Sequence, residues 1–418
     1  MTVIAPREEK KDSRIAAARL LIIALAASGP ASYFASAFID HAQKVRDTTG
    51  HLVWTSDGDA ARFIAVAAAF IELGLAIYLL TLRGRGDERR ERAQLFLAAT
   101  AYAVALAVVF RYPQSSISSI FHSLTAALCL TALAGARVDW RSLGYLAVLG
   151  RLVYVSNIVY FLLFDNAANE CRSDKCSIVG ELVRGYFPHE NTLAMYVCLL
   201  LPFSFLSRGR YMILDVLGTA FLVASTGSRM ALVMWLFALF ALLAGRNLRN
   251  RSSWKLIGSV SPLMRLLPLI GLAGSLFVYL FSSPLELTGR GYIYELTLSQ
   301  VRQHWLIGPG REILQVAYDQ GRSTFLIAHE HGEAPYLLTN GGVIAFSLFA
   351  LAAMALCAAR TPLVAPLAAA PAALAFVTEP AWEFSTRSPL FFSVALVVAL
   401  ARPWRGQPLV VPSGEGDY

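Results

Sequence analysis

Four short stretches of this 418-residue chain combine residue types that can do chemistry. The first runs Arg184-Gly185-Tyr186-Phe187-Pro188-His189-Glu190-Asn191-Thr192-Leu193-Ala194. Its Gly, Pro and polar His-Glu-Asn run suit a loop entering a helix, with Asn191 as the expected N-cap. Capping with interface anchoring is the bland alternative to a binding role for His189 and Asn191. The second stretch is Ser225-Thr226-Gly227-Ser228-Arg229-Met230-Ala231-Leu232. It reads as a tight polar turn between two apolar runs. A turn needs Gly and Ser but not an arginine at a membrane edge, where a charge is costly unless paired or snorkelled. A phosphate partner would offset that cost. The third stretch holds two arginines in Gly-containing turns, Thr288-Gly289-Arg290-Gly291 and Gly308-Pro309-Gly310-Arg311. The fourth is His329-Glu330-His331-Gly332-Glu333, which leads into Tyr336-Leu337-Leu338-Thr339-Asn340-Gly341-Gly342. His-x-His is a possible metal pair, but no third ligand stands at a recognisable spacing. A histidine acting as general base on a hydroxyl is the reading preferred.

The elements that must position these residues are membrane spans. Apolar residues make up 56% of the chain and charged residues only 15%, with a mean hydropathy of +0.54. Soluble domains carry about a quarter charged residues. The composition excludes a disordered chain, a soluble single-core enzyme and a nucleic-acid binder, and points to a polytopic membrane protein. Apolar segments lie near 15–39, 61–81, 94–110, 117–135, 143–164, 192–207, 211–225, 230–245, 263–281, 335–358, 363–379 and 388–401. The expectation is an all-α bundle of about 12 spans, several shorter than the ideal length. No cleavable signal peptide is expected at the charged start, Pro6 to Arg14.

Lys and Arg set the orientation. With the N-terminus inside, 21 of the 36 basic residues fall on the inner face, in Arg83 to Arg92, Arg246 to Arg265 and shorter segments. Both termini are then cytoplasmic, and the basic balance of +8 reports topology rather than a nucleic-acid partner. The outer segments are 40–60, 165–191, 282–334 and 379–387. All seven histidines lie on or near that outer face, which is where acid–base chemistry is expected. The chain divides into 1–164, the first five spans; 165–358, the half that carries the motifs; and 359–418, the last spans and the tail.

In order and position the four stretches resemble the O-antigen ligase/polymerase family of polytopic membrane glycosyltransferases. That family shows a G-x-F-x-H-x-N-x-L-A loop before a span, a T-G-S-R turn, a G-R turn opening a large outer loop, and a G-x-G element. A histidine then precedes the glycine-marked start of the next span. Gly185 to Ala194, Thr226 to Arg229, Gly289-Arg290, Gly308 to Gly310 and His331 ahead of Gly342 fit this series. The match covers about 165–350. Gly332 and Ala334 stand where the family has Asn and Tyr.

The resemblance implies a GT-C-like fold and transfer of a polyprenyl-diphosphate-linked glycan to an acceptor hydroxyl at the outer face of the cytoplasmic membrane. The acceptor would be a glycan, a lipid or a wall polymer. It implies no cofactor, no nucleotide sugar and no metal. Arg229 and Arg290 would stabilise the diphosphate leaving group, with Arg311 a third contact, and His331 would take the acceptor proton. His189, Asn191 and His329 would line the substrate site. Polymerase and ligase versions fit equally. A secondary transporter or flippase of a lipid-linked glycan is the alternative. Such proteins tend to place binding charges at mid-membrane breaks between repeats, and no repeat is evident here.

Several other residues carry expectations. Asp57-Gly58-Asp59 reads as a turn, against a base or metal-ligand role for either aspartate. Glu72 and Arg151 lie at mid-span depth and are expected to pair. Asp215 is expected to reach interfacial water. Cys129, Cys198 and Cys357 lie in apolar runs and read as packing residues. Cys171 and Cys176 share an outer polar loop, where an oxidising face permits a disulfide.

Overall fold

The computed structural model describes residues 5–39, 44–46, 52–54, 58–82, 97, 100, 101, 104, 117–134, 136, 140–171, 175–207, 209–249, 266–283, 290–310, 313, 332–358, 373, 377 and 388–400. The chain is mostly helical, as the apolar runs require. Among the described residues, four helices are long and apolar enough to cross a membrane, over Ser13–Phe38, Asp59–Thr81, Ser142–Leu163 and Glu333–Ala355. The expected spans 94–110 and 363–379 lie almost wholly outside the described residues.

We label the described helices α1 (Ala5–Phe38), α2 (Asp59–Thr81), α3 (Ile117–Leu133), α4 (Trp140–Leu163), α5 (Glu190–Leu200), α6 (Gly209–Ser225), α7 (Arg229–Arg249), α8 (Leu267–Phe281), α9 (Arg290–Gln303), α10 (Glu333–Ala358) and α11 (Pro389–Leu400). Two short antiparallel hairpins accompany them: β1 (Lys44–Arg46) with β2 (Leu52–Trp54), and β3 (Ala168–Glu170) with β4 (Glu181–Val183). The expected span at 192–207 is composite. Its α-helix gives way to a 3₁₀ turn over Leu201–Leu206, where Pro202 cannot donate to an α-helical ladder.

The main buried apolar cluster joins α1 to α8 with α10 and α11. Small residues let the helices approach: Ala17, Ala18 and Ala26 on α1, and Ala69 and Ala76 on α2, are buried. The outward sides carry exposed Phe63, Phe70, Leu152, Leu217, Leu236 and Phe277. Such a surface suits lipid rather than water.

Charged groups inside the helices pair differently from the expectation. Arg151 binds Asp215, not Glu72. Its Nε donates to Oδ1 at 2.9 Å and its Nη2 to Oδ2 at 2.8 Å, while Tyr154 donates to Oδ1 at 3.0 Å. Asp215 is buried rather than turned to interfacial water. The planar guanidinium matches both carboxylate oxygens at once, so the pair offsets its own desolvation. It also fastens α4 to α6. Glu72 is buried on α2, where its carbonyl accepts from the Cys129 thiol at 3.8 Å. Cys129 and Cys198 are buried packing residues, as expected. Asp59 is exposed and is the first residue of α2, with Gly58 as the extended N-cap, rather than part of a turn; Asp57 lies outside the described residues.

Candidate functional site

The segment between α4 and α5 is folded by its own side chains. A 3₁₀ turn at Asp165–Ala167 enters the β3–β4 hairpin, and the chain then returns toward α5. The backbone N–H groups of Arg184 and Gly185 both donate to the Ala167 carbonyl, at 3.0 and 2.9 Å. The Arg184 side chain is buried beneath the loop and donates to the carbonyls of Phe187 (3.1 Å) and Asn166. Burial pushes this guanidinium down to about 10, partly offset by Tyr160 and Glu190. Arg184 thus holds the loop in shape rather than facing a ligand.

Gly185 is required by its surroundings. Its φ is +59°, and a Cβ there would lie 1.8 Å from Asn157 Oδ1. That same oxygen accepts from the Tyr186 N–H at 3.1 Å. Tyr186 and Phe187 stack, with ring centroids 4.8 Å apart. Tyr33 and Phe34 of α1 and Tyr160 of α4 surround them. The aromatic run of the motif is therefore a floor under the loop.

The mouth of α5 is capped by His189, not by Asn191. His189 Nδ1 accepts from the Asn191 N–H at 3.1 Å. Asn191 cannot be the cap because it already lies inside the first turn. Nδ1 accepts only while this exposed imidazole is neutral, with its proton on Nε2; the protonated ring instead offers Nδ1–H to Glu190 Oε2. Glu190 is buried, with Lys175 Nζ at 2.8 Å from Oε1 and His189 Nδ1 at 3.5 Å from Oε2. Burial raises the Glu190 carboxyl, but His189 and Lys175 lower it by more, so it rests below its ordinary value. Cys171 and Cys176 form the expected disulfide, with Cα atoms 4.7 Å apart.

The turn between α6 and α7 comes directly against this loop. Gly227, at φ +64°, lies so close that a Cβ would meet Leu182 Cδ2 at 2.7 Å and the Cys176 carbonyl group at 3.1 Å. Thr226 and Ser225 are buried. Ser228 caps α7, its Oγ accepting from the Ala231 N–H at 3.3 Å. Arg229 is the first residue of α7 and is exposed. A cation at a helix N-terminus works against the helix dipole, whereas an anion there is favoured by the dipole and by free N–H groups.

Arg290 is the first described residue of α9. The helix packs on α8 through Tyr294 against Tyr279, with centroids 5.5 Å apart, and through Tyr279 Oη to Thr297 Oγ1 at 3.1 Å. The segment that follows α9 locks into a break in α10. Gly342 is non-helical at φ 62°, ψ −161°. Into that break fit Leu306 and Ile307, whose backbones lie 2.4 Å from an ideal Gly342 Cβ. In return, the Gly310 N–H donates to the Thr339 carbonyl at 2.8 Å and the Val343 N–H to the Trp305 carbonyl at 2.9 Å. Gly308, at φ +72°, is pressed against the Leu338 and Thr339 carbonyls. The G-x-G element and the Gly341-Gly342 pair are therefore one interlocked joint.

Gly332, at φ +99°, and Ala334, whose N–H donates to Ser275 Oγ at 3.0 Å, tie the start of α10 to α8. His329, His331 and Arg311 lie outside the described residues, as does the side chain of Arg290. The structure brings the first and second stretches together, and the third with the fourth. Leu193 and Ala194 of α5 share the buried cluster with Ala334, Tyr336 and Leu337 of α10. Among the described residues, no group of three or more His, Cys, Asp or Glu is placed to hold a metal ion. The residues sequence reasoning missed are Lys175 and Asn157. Lys175 was visible only as one polar residue between two cysteines, and nothing in the sequence links Asn157 to Gly185.

No family model matches the chain, and neither a curated protein nor a solved structure is significantly similar to it.

Proposed function

We propose that the chain is a membrane glycosyltransferase that moves a polyprenyl-diphosphate-linked glycan onto an acceptor hydroxyl at the outer face of the cytoplasmic membrane. The observation that carries this reading is the placement of Arg229, exposed as the first residue of α7 beside the loop that leads to His189, with Arg290 at the first described position of α9. A diphosphate gains negative charge as the glycosidic bond breaks. An arginine beside free helix N–H groups stabilises that charge, and removing one such group typically slows a reaction by about 10²–10³-fold. His331, two residues before α10, is assigned as the base that takes the acceptor proton, a contribution of about 10²–10⁴-fold. His189 and Asn191, at the mouth of α5, shape the donor sugar site in this reading, with His329 and Arg311 as further contacts.

The reading keeps the bundle of about 12 spans, both termini inside, and the polymerase and ligase versions alike. The break at Gly342 is the feature that favours the transporter alternative, since transporters bind cargo at interrupted helices. It is filled by Leu306 and Ile307 of the same chain, which leaves the break as a joint rather than a cargo site. The test is complementation of a deletion strain with Arg229→Ala, Arg290→Ala and His331→Ala. Each variant is expected to insert normally and to leave the carrier-linked glycan untransferred. Normal polymer from Arg290→Ala and His331→Ala removes the assignment.

A further inference from the structure

We propose that the Cys171–Cys176 disulfide and Lys175 form a clasp that positions the mouth of α5 against the turn at Gly227, and that reduction of the disulfide releases it. Three contacts converge on six residues of chain. The disulfide closes the loop from Cys171 to Cys176. Lys175, next to the bridge, is mostly buried and places Nζ 2.8 Å from Glu190 Oε1, in the first turn of α5. Cys176, the bridge's second half, lays its carbonyl group against Gly227, two residues before Arg229. The loop therefore touches both motifs that sequence alone leaves 30 residues or more apart.

The charges around Glu190 explain why this clasp holds. Glu190 is buried and is faced by Lys175 and His189, with Arg184 also within electrostatic reach. A buried carboxylate that loses one partner retains its desolvation cost. Without the bridge, Lys175 regains chain freedom that the closed loop removes, and its contact with Glu190 competes with solvation of the ammonium. The first turn of α5, with His189 as its cap, then loses its support from one side. Lys175 is a positioning residue in this scheme, since it acts on His189 through Glu190. Reduction consumes two electrons and two protons, supplied by a dithiol such as dithiothreitol. The Sγ–Sγ bond becomes two thiols, and the reagent closes to its cyclic disulfide.

The consequence for glycan transfer rests on the function proposed above, whereas the clasp itself does not. Hydrogen–deuterium exchange of the full chain in detergent reads it without any activity. Treatment with dithiothreitol is expected to speed exchange over 185–195 by about tenfold or more, with 267–281 unchanged. Lys175→Met should do the same with the disulfide intact. Lys175→Arg should keep the protection, and Lys175→Met/Glu190→Gln should restore most of it, because neither charge is then left alone. Reduction of the folded wild type gives the answer even where Cys171→Ser/Cys176→Ser fails to fold. Unchanged exchange on reduction, or in Lys175→Met, overturns the clasp. Responsive exchange with unaffected glycan in every clasp variant keeps the clasp and shows that it does not govern transfer, while the transferase reading itself stands or falls with Arg290→Ala and His331→Ala. Lost transfer with unresponsive exchange removes the clasp and keeps that reading.

Discussion

Gly185→Ala is the substitution whose outcome the geometry fixes most tightly. The residue sits at φ +59°, where an alanine costs about 1–2 kcal/mol. Its new Cβ would lie 1.8 Å from Asn157 Oδ1 and 2.7 Å from Asn157 Cγ. Asn157 has no easy retreat. Its Nδ2 donates to the Val153 carbonyl at 2.7 Å, and its Oδ1 accepts from the Tyr186 N–H. Forcing it aside adds about 1–3 kcal/mol of overpacking. Gly185→Ala is therefore expected to destabilise by about 2–5 kcal/mol in total. Asn157→Ala alone leaves the buried Tyr186 N–H without its acceptor, which costs about 1–3 kcal/mol. The double variant keeps the backbone strain but removes the collision. It should be more stable than the sum of the singles by about 1–3 kcal/mol. Thermal unfolding of the purified chain in detergent, with the three variants in parallel, reads this cycle. A Gly185→Ala protein within about 0.5 kcal/mol of the parent, or strict additivity, refutes the reasoning.

Breaking the Arg151–Asp215 pair with Asp215→Ala should cost about 3 kcal/mol, the lower end for a buried pair because the Arg151 side chain is 28% exposed. Arg151→Met/Asp215→Leu should recover most of that loss, and Glu72→Gln should combine additively with Arg151→Met in unfolding assays. Non-additivity with Glu72 instead of Asp215 would overturn the pairing. Glu190 binds its proton less tightly in the folded chain than in the unfolded one. The stability it contributes is full above its ordinary value of 4.5 and is lost as the pH falls through the lower folded value. Unfolding followed from pH 7 downward should show this loss only below about pH 4.5, and Glu190→Gln should abolish it; a loss that survives Glu190→Gln would show another group to be responsible.

The helical part of the fold was legible because apolar runs of span length leave few alternatives. The expected 61–81 and 143–164 stand beside the observed Asp59–Thr81 and Trp140–Leu163. What sequence could not supply is who meets whom. Depth in the sequence points Arg151 to Glu72 and Asp215 to water, whereas the packing of α4 on α6 brings Arg151 to Asp215, 64 residues away. Residue type favours Asn over His as a helix cap, yet Nδ1 of His189 makes the same contact from two residues earlier. The glycines at 308 and 342 were visible as punctuation. Their mutual fit was not, because it depends on α9 packing on α8 and returning the chain to α10. The disulfide followed from two cysteines in one outer loop, while its reach to Gly227 required the fold.

The central claim is transfer of a lipid-linked glycan, and the carrier itself records it. The decisive measurement is mass spectrometry of the glycan on the polyprenyl carrier in a deletion strain, with wild type, Arg290→Ala or His331→Ala supplied in trans. Carrier-linked glycan is expected to accumulate in the deletion and both variants, as single repeats for a polymerase or full chains for a ligase, and to be cleared by wild type. An unchanged carrier pool and unchanged surface glycan in the deletion strain would contradict it.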